Sequence, residues 1–141
     1  MFLSIPIINE NGLFLIHRPH KSRAPEKYTF FYDSTGKSAN WPSFEAQVMD
    51  FVKWRTSLLA DHIIYLGSQK YAEIMTLIYI AVCPFNTSEI KGSKEDDEFM
   101  WASIKELPNM LQREELSLLP ILQRFCLETG VGVKSVSKEM H

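Results

Sequence analysis

The sequence predicts an α+β domain built on a mixed β-sheet with helices on its faces. Two observations predict it. Short runs rich in β-branched and aromatic residues alternate with turn chemistry, and two stretches of helical periodicity interrupt or close that series. A chain of 141 residues, 45% of them hydrophobic, can bury one sizeable core, so residues 1–130 read as a single domain and the apolar-poor 131–141 as a fraying tail.

The elements follow in order. Residues 2–8 form a first strand, with Pro6 marking an irregularity because proline donates nothing to a ladder. Asn11-Gly12 signals a hairpin turn, since both residues tolerate positive φ, and 13–16 return as the second strand. Residues 20–27 are polar and hold Pro25, hence a loop; the aromatic run YTFFY at 28–32 is a third strand, and DSTGKSAN at 33–40 is turn chemistry throughout. A helix follows over 43–59. Pro42 suits its start, Glu45 complements the positive end of its dipole, and Phe44, Val48, Phe51, Val52, Leu58 and Leu59 recur at helical spacing. Strands at 62–66 and 74–82, a polar loop at 86–97, and a last strand beginning at Glu98 come next. Ser103-Ile-Lys-Glu106 has the spacing of a capping box. A closing helix at 118–127 has Pro120 in its first turn and Gly130 as its stop.

Composition excludes several classes. A net charge of −2 gives no global field toward nucleic acid or a membrane and leaves room only for a local basic patch. No run reaches the ~20 apolar residues of a membrane span, and the apolar start MFLSIPII has no basic flank of a signal peptide. Cys83 and Cys126 lie in separate apolar runs and read as buried free thiols, which fits a reducing cytoplasm. The histidines lack ligand spacing, and no Ser-His-Asp, P-loop or Rossmann pattern occurs.

Three segments carry a family resemblance. IPIINENGLFLIHRP is similar to the opening hairpin of the Nudix (MutT-like) family. The 43–59 helix followed by IIYLG has the place of its catalytic helix and next strand, and EFMWASIKELPNML resembles its closing strand and short helix. The resemblance implies a Nudix-like α/β/α sandwich with a mixed β-sheet. It also implies hydrolysis of nucleoside diphosphate-linked substrates with Mg²⁺, and a fold that often pairs into homodimers. The family's box runs from a glycine through five residues, a glutamate and seven residues to Arg-Glu. A hydrophobic residue, any residue, Glu-Glu, any residue and a glycine complete it. With Ala46 in the place of the alanine before Arg-Glu, Met49-Asp50 stand for Arg-Glu, Lys53-Trp54 for Glu-Glu and Thr56 for the last glycine, with Gly36 near the first. A one-residue slip supplies no acidic pair either.

Carboxylates on one helix face hold Mg²⁺, which offsets diphosphate charge and activates water. An ammonium repels that ion and an indole offers it no oxygen, whereas Lys53 can meet a phosphate directly. The candidate ligand contacts are therefore Lys53 and Trp54 on the helix, Arg18 at the end of the second strand, Tyr28 and Phe30 on the aromatic strand, and Glu98 and Trp101 on the last strand. Each also has a plain structural reading: a solvated lysine, a packing aromatic, or an Arg18 paired with Asp33 or Glu45. Glu45, Asp50 and Asp97 remain as metal-ligand candidates. Three functions compete. One is a non-catalytic domain binding a nucleotide-like molecule, RNA or a protein, with no cofactor; one is a divergent Mg²⁺-dependent hydrolase; one is a self-associating subunit.

Overall fold

A computed structural model describes residues 1–18, 27–71, 73–84 and 98–130; the expected tail at 131–141, the expected loop at 86–97 and all but residue 27 of the expected loop at 20–27 lie outside them. The first strand is split at Pro6 into β1 (Phe2–Ile5) and β2 (Ile7–Asn9), and both run parallel to β6 (Ile74–Cys83). The break is local, because the Pro6 carbonyl still accepts from Ala81 N–H at 2.9 Å. On their other side β1 pairs with β4 (Phe31–Ser34), and β2 pairs with β3 (Phe14–Arg18). β7 (Glu98–Ala102) lies outside β3, and β5 (His62–Tyr71) lies outside β6. β4 and β3 thus share one side of the broken strand and diverge from it, making a seven-stranded mixed sheet that splits.

Two cores cover its faces. On one, α1 (Phe44–Thr56) packs Val48 and Val52 against Leu3, Ile5 and Leu15. On the other, α2 (Leu107–Met110) and α3 (Leu119–Thr129) cover Phe14, Ile16 and Phe30. Alternation along the strands sorts neighbours to opposite faces: Phe30 belongs to the α3 core and Phe31 to the α1 core, both essentially unexposed. No helix among the described residues is long and apolar enough to cross a membrane.

Several boundaries depart from expectation. The aromatic strand starts at Phe31 rather than residue 28; Tyr28 and Thr29 make only isolated bridges, because the Thr29 amide and carbonyl are taken by His17 beside the split. The strand expected to stop at 66 continues to Tyr71, a bulge at Gly67 (φ 131°) absorbing the extra residue. The helix expected to reach 59 stops at Thr56. Ser57 adopts the left-handed region at φ 66°, its N–H closes on the Lys53 carbonyl, and Leu59 is left 64% exposed. The 33–40 and 113–118 segments form 3-10 helices at Thr35–Asn40 and Arg113–Leu118. The capping box is half made: Glu106 accepts from the Ser103 N–H, which lowers its pKa.

The opening hairpin is held by Asn9. Its side-chain carbonyl accepts from the N–H of both Asn11 and Leu13 at 3.0 Å, while Gly12 sits at φ 79°. Asn9 is 3% exposed, so Asn9→Ala strands two donors and is expected to cost about 2 kcal/mol, measurable as a lower urea midpoint with unchanged slope.

Candidate functional site

Helix α1 presents three stripes. Ser43 starts it by accepting from the Ala46 N–H. Val48, Val52, Arg55 and Thr56 recur on the buried stripe. Glu45, Met49 and Lys53 form an exposed stripe, and Lys53 has no ion-pair partner among the described residues. Gln47, Asp50, Phe51 and Trp54 form the third, which faces Asp33 and Trp41 across a pocket.

Arg55 is the unexpected member, a guanidinium only 6% exposed. Its carbon lies 5.3 Å from the Phe31 ring centroid and 5.5 Å from that of Phe99, whose rings are stacked on each other's planes at 17°. Cation–π attraction to both rings offsets part of its desolvation. Its Nη2 lies 3.4 Å from Nδ1 of His17, and His17 in turn stacks on Phe31 at 4.4 Å and approaches the Phe30 carbonyl with Nε2. The tautomer follows from this: Nδ1 accepts from the guanidinium and Nε2–H donates to the carbonyl. A permanent cation therefore sits inside the α1 core, beside the last strand.

The other sequence-derived candidates divide between the two faces. Arg18 pairs with Glu98, its register partner on β7, rather than with Asp33 or Glu45, and its guanidinium lies 5.7 Å from the Tyr28 ring centroid. Arg18, Tyr28 and Glu98 thus form one cross-strand group on the α3 side. Phe30 is fully buried and meets Phe14 edge-on, so it packs the core and has no surface to offer a ligand. Trp101 is half-buried opposite Leu15 on the α1 side. Trp54 and Asp50 are exposed on the pocket stripe, Glu45 is exposed in the first turn, and Asp97 lies outside the described residues. Among the described residues no three His, Cys, Asp or Glu side chains converge on a point that could hold a metal.

Glu115 also escaped the sequence reading. Only 3% exposed, it reaches from the 3-10 helix Arg113–Leu118 into the split between β3 and β4. There it accepts from the Phe30 N–H at 3.0 Å and from the hydroxyls of Thr29 and Tyr32. Burial pushes its carboxyl pKa above its ordinary value despite these donors, and burial, followed by the charge of Glu115, raises the Tyr32 phenol. Cys83 is pushed up to about 12 by burial and by the charge of Asp61, which makes it an inert thiol.

A broken first strand parallel to β6, a sheet that splits around it, and helices on both faces define a Nudix-type α/β/α sandwich. The chain has the Nudix fold. It is similar to a structure from work on MutT of Aliivibrio salmonicida and Vibrio cholerae, with a TM-score of 0.65 at 11% identity, covering 90% of this chain and 96% of that one. A Caenorhabditis elegans Ap4A hydrolase in a binary complex matches with a TM-score of 0.65 at 11% identity, over 92% and 98% of the two chains. The NUDIX domain of Shewanella oneidensis NrtR complexed with ADP ribose matches with a TM-score of 0.62 at 10% identity, over 87% and 85%. No family profile and no curated protein matches the sequence itself.

Proposed function

We propose that the protein is a non-catalytic Nudix-fold domain that binds a nucleotide-like, phosphate-bearing ligand without a metal. The observation that carries this is the buried guanidinium of Arg55. In the box, the last glycine ends the helix, a place that calls for a left-handed residue. Here that residue is Ser57 at φ 66°, not Thr56. Placing Ser57 there moves the alignment on by one. Gly36 then falls on the box's first glycine when its intervals are counted, and Val52, fully buried, takes the hydrophobic place that half-buried Phe51 fills less well. Asp50-Phe51 then replace Arg-Glu, and Trp54-Arg55 replace the Glu-Glu pair.

In this register a fixed cation replaces one of the carboxylates that would hold Mg²⁺. The donor set does not fit that ion: Asp50 is the one carboxylate left on the helix between residues 46 and 56, and the neighbouring guanidinium repels a second cation. Lys53, exposed and without an acidic partner among the described residues, can meet a phosphate as a point charge. The ADP ribose held by the NrtR domain supports a nucleotide-like ligand for this fold.

The test has two parts. The protein is incubated with Mg²⁺ or Mn²⁺ and a panel of ADP-ribose, NAD, dinucleoside polyphosphates and nucleoside triphosphates, and release of phosphate or nucleoside monophosphate is followed. No turnover is expected. A thermal shift with one of these ligands is expected in metal-free buffer and is expected to vanish in Lys53→Glu. Metal-dependent turnover abolished by Asp50→Ala would establish the hydrolase instead.

A further inference from the structure

The pocket beside α1 has aromatic walls from Trp41, Phe51 and Trp54, and Asp33, Gln47 and Asp50 complete its lining around about 140 Å³ of space. Asp33 and Gln47 are engaged with each other and with the chain. Asp33 Oδ1 accepts from the Ser34 N–H at 2.9 Å and its Oδ2 from the Gln47 side-chain amide at 3.0 Å, and that amide also donates to the Ser34 carbonyl. Gln47 has no exposed surface. The polar groups left to meet a ligand are therefore the Asp50 carboxylate and the indole N–H groups of Trp41 and Trp54. Asp50 is exposed, and none of the three has a hydrogen-bond or ion-pair partner among the described residues. Trp54 meets Phe51 at 6.2 Å with the ring planes 51° apart and is 64% exposed, so a flat ring can lie on its open face.

One acceptor and two donors between aromatic rings select against charged occupants. A cation meets Asp50 but offers nothing to the indole N–H groups. An anion is repelled by Asp33 and Asp50, and no described lining residue is cationic. A neutral planar heterocycle with adjacent N–H donors on one edge and acceptors on another matches every open group. Among the nucleobases guanine has that pattern. Its N1–H and 2-amino group lie side by side and match the two oxygens of one carboxylate, and its O6 and N7 accept from an indole N–H. Adenine and cytosine each set an acceptor ring nitrogen beside the amino group, and uracil flanks its N–H with two carbonyls, so all three turn an acceptor toward Asp50.

We infer that the pocket is a guanine site, with Trp54 as its stacking platform and Asp50 as the group that reads the base. The assignment of guanine rests on the nucleotide-like ligand proposed above and adds which base that ligand carries. The neutral base enters while the phosphate stays outside the pocket. Lys53 lies three residues on from Asp50 and so beside it on the helix surface, but does not line the pocket. Stacking supplies affinity that every base shares, and Asp50 supplies the choice among them.

Calorimetric titration of the full chain with GMP, AMP, CMP, UMP, guanosine and adenosine tests this. GMP is expected to bind at least about tenfold more tightly than the other three nucleotides. Asp50→Asn is expected to bring GMP to within about threefold of AMP, and Trp54→Ala to weaken all four at least about tenfold. Both positions are exposed, and circular dichroism checks that the fold is intact. Guanosine preferred over adenosine, with no gain from the phosphate and no change in Lys53→Glu, supports the guanine site while removing the phosphate contact. Equal affinity for the four nucleotides, lost in Lys53→Glu, overturns the guanine site and leaves the phosphate contact standing. A full preference for GMP in Asp50→Asn also overturns it, because the base is then read elsewhere. No saturable heat with any of the six overturns both.

Discussion

Arg55→Ala is expected to lower the unfolding free energy by about 3 kcal/mol, the range of a buried group lost from a packed network. The guanidinium fills the space between helix α1 and the stacked rings of Phe31 and Phe99, and it donates to His17. Truncation removes that packing, leaves a cavity between the helix and the two rings, and strands the imidazole Nδ1. Arg55→Lys keeps the charge but cannot lie flat on the rings, so it recovers less than half of the loss. Urea unfolding followed by far-ultraviolet circular dichroism measures both. A loss under about 0.5 kcal/mol, typical of a surface substitution, would show that the cation is not built into the core. The outcome bears on function, since a guanidinium that the fold depends on cannot be traded for a metal-binding carboxylate without repacking the helix.

Glu115→Ala is expected to cost about 3 kcal/mol as well, because it deprives the Phe30 N–H and the Thr29 and Tyr32 hydroxyls of one shared acceptor. Glu115→Gln separates hydrogen bonding from charge. Burial raises the folded-state carboxyl pKa above its ordinary value of 4.5, so the folded protein holds this proton more tightly than the unfolded chain does. The stabilisation that follows is fully present below the ordinary value and is lost as pH rises through the raised one. The stability of the wild type relative to Glu115→Gln is therefore expected to fall as pH is taken upward from about 4.5. Thermal melts of the two proteins across that range measure the difference, and taking the difference cancels the titration of every other group. A gap that widens with pH would reverse the sign of the shift.

The periodic elements were legible because their signals are local. Alternating apolar residues, Asn11-Gly12, Pro120 and Gly130 each act within a few residues, and the strands, hairpin and closing helix fall where these place them. Boundaries were lost where a distant partner, or a left-handed backbone turn that the residue type does not mark, decided them. Thr29 is taken by His17, which delays the aromatic strand to Phe31, and Ser57 turns left-handed and ends α1 three residues before Leu59. The site was legible only in part. Asp50 and Trp54 do face one pocket, but Arg18 and Glu98 neutralise each other on the opposite face of the sheet, a pairing set by the β3–β7 register. Arg55 was passed over because an arginine late in an amphipathic helix ordinarily faces water. Counting the box's intervals from Gly36 was the one signal that pointed to it.

By itself the sequence determined the strand and helix content, the Nudix-like order of elements and the absence of an acidic pair on the helix, because residue type and short-range spacing suffice for these. Only the tertiary structure decided that the helix carries its cation inward, that Glu115 fills the split in the sheet, and that two tryptophans and two aspartates meet around one pocket. Each of these joins side chains from different elements, and their distances exist only once the sheet has brought those elements together.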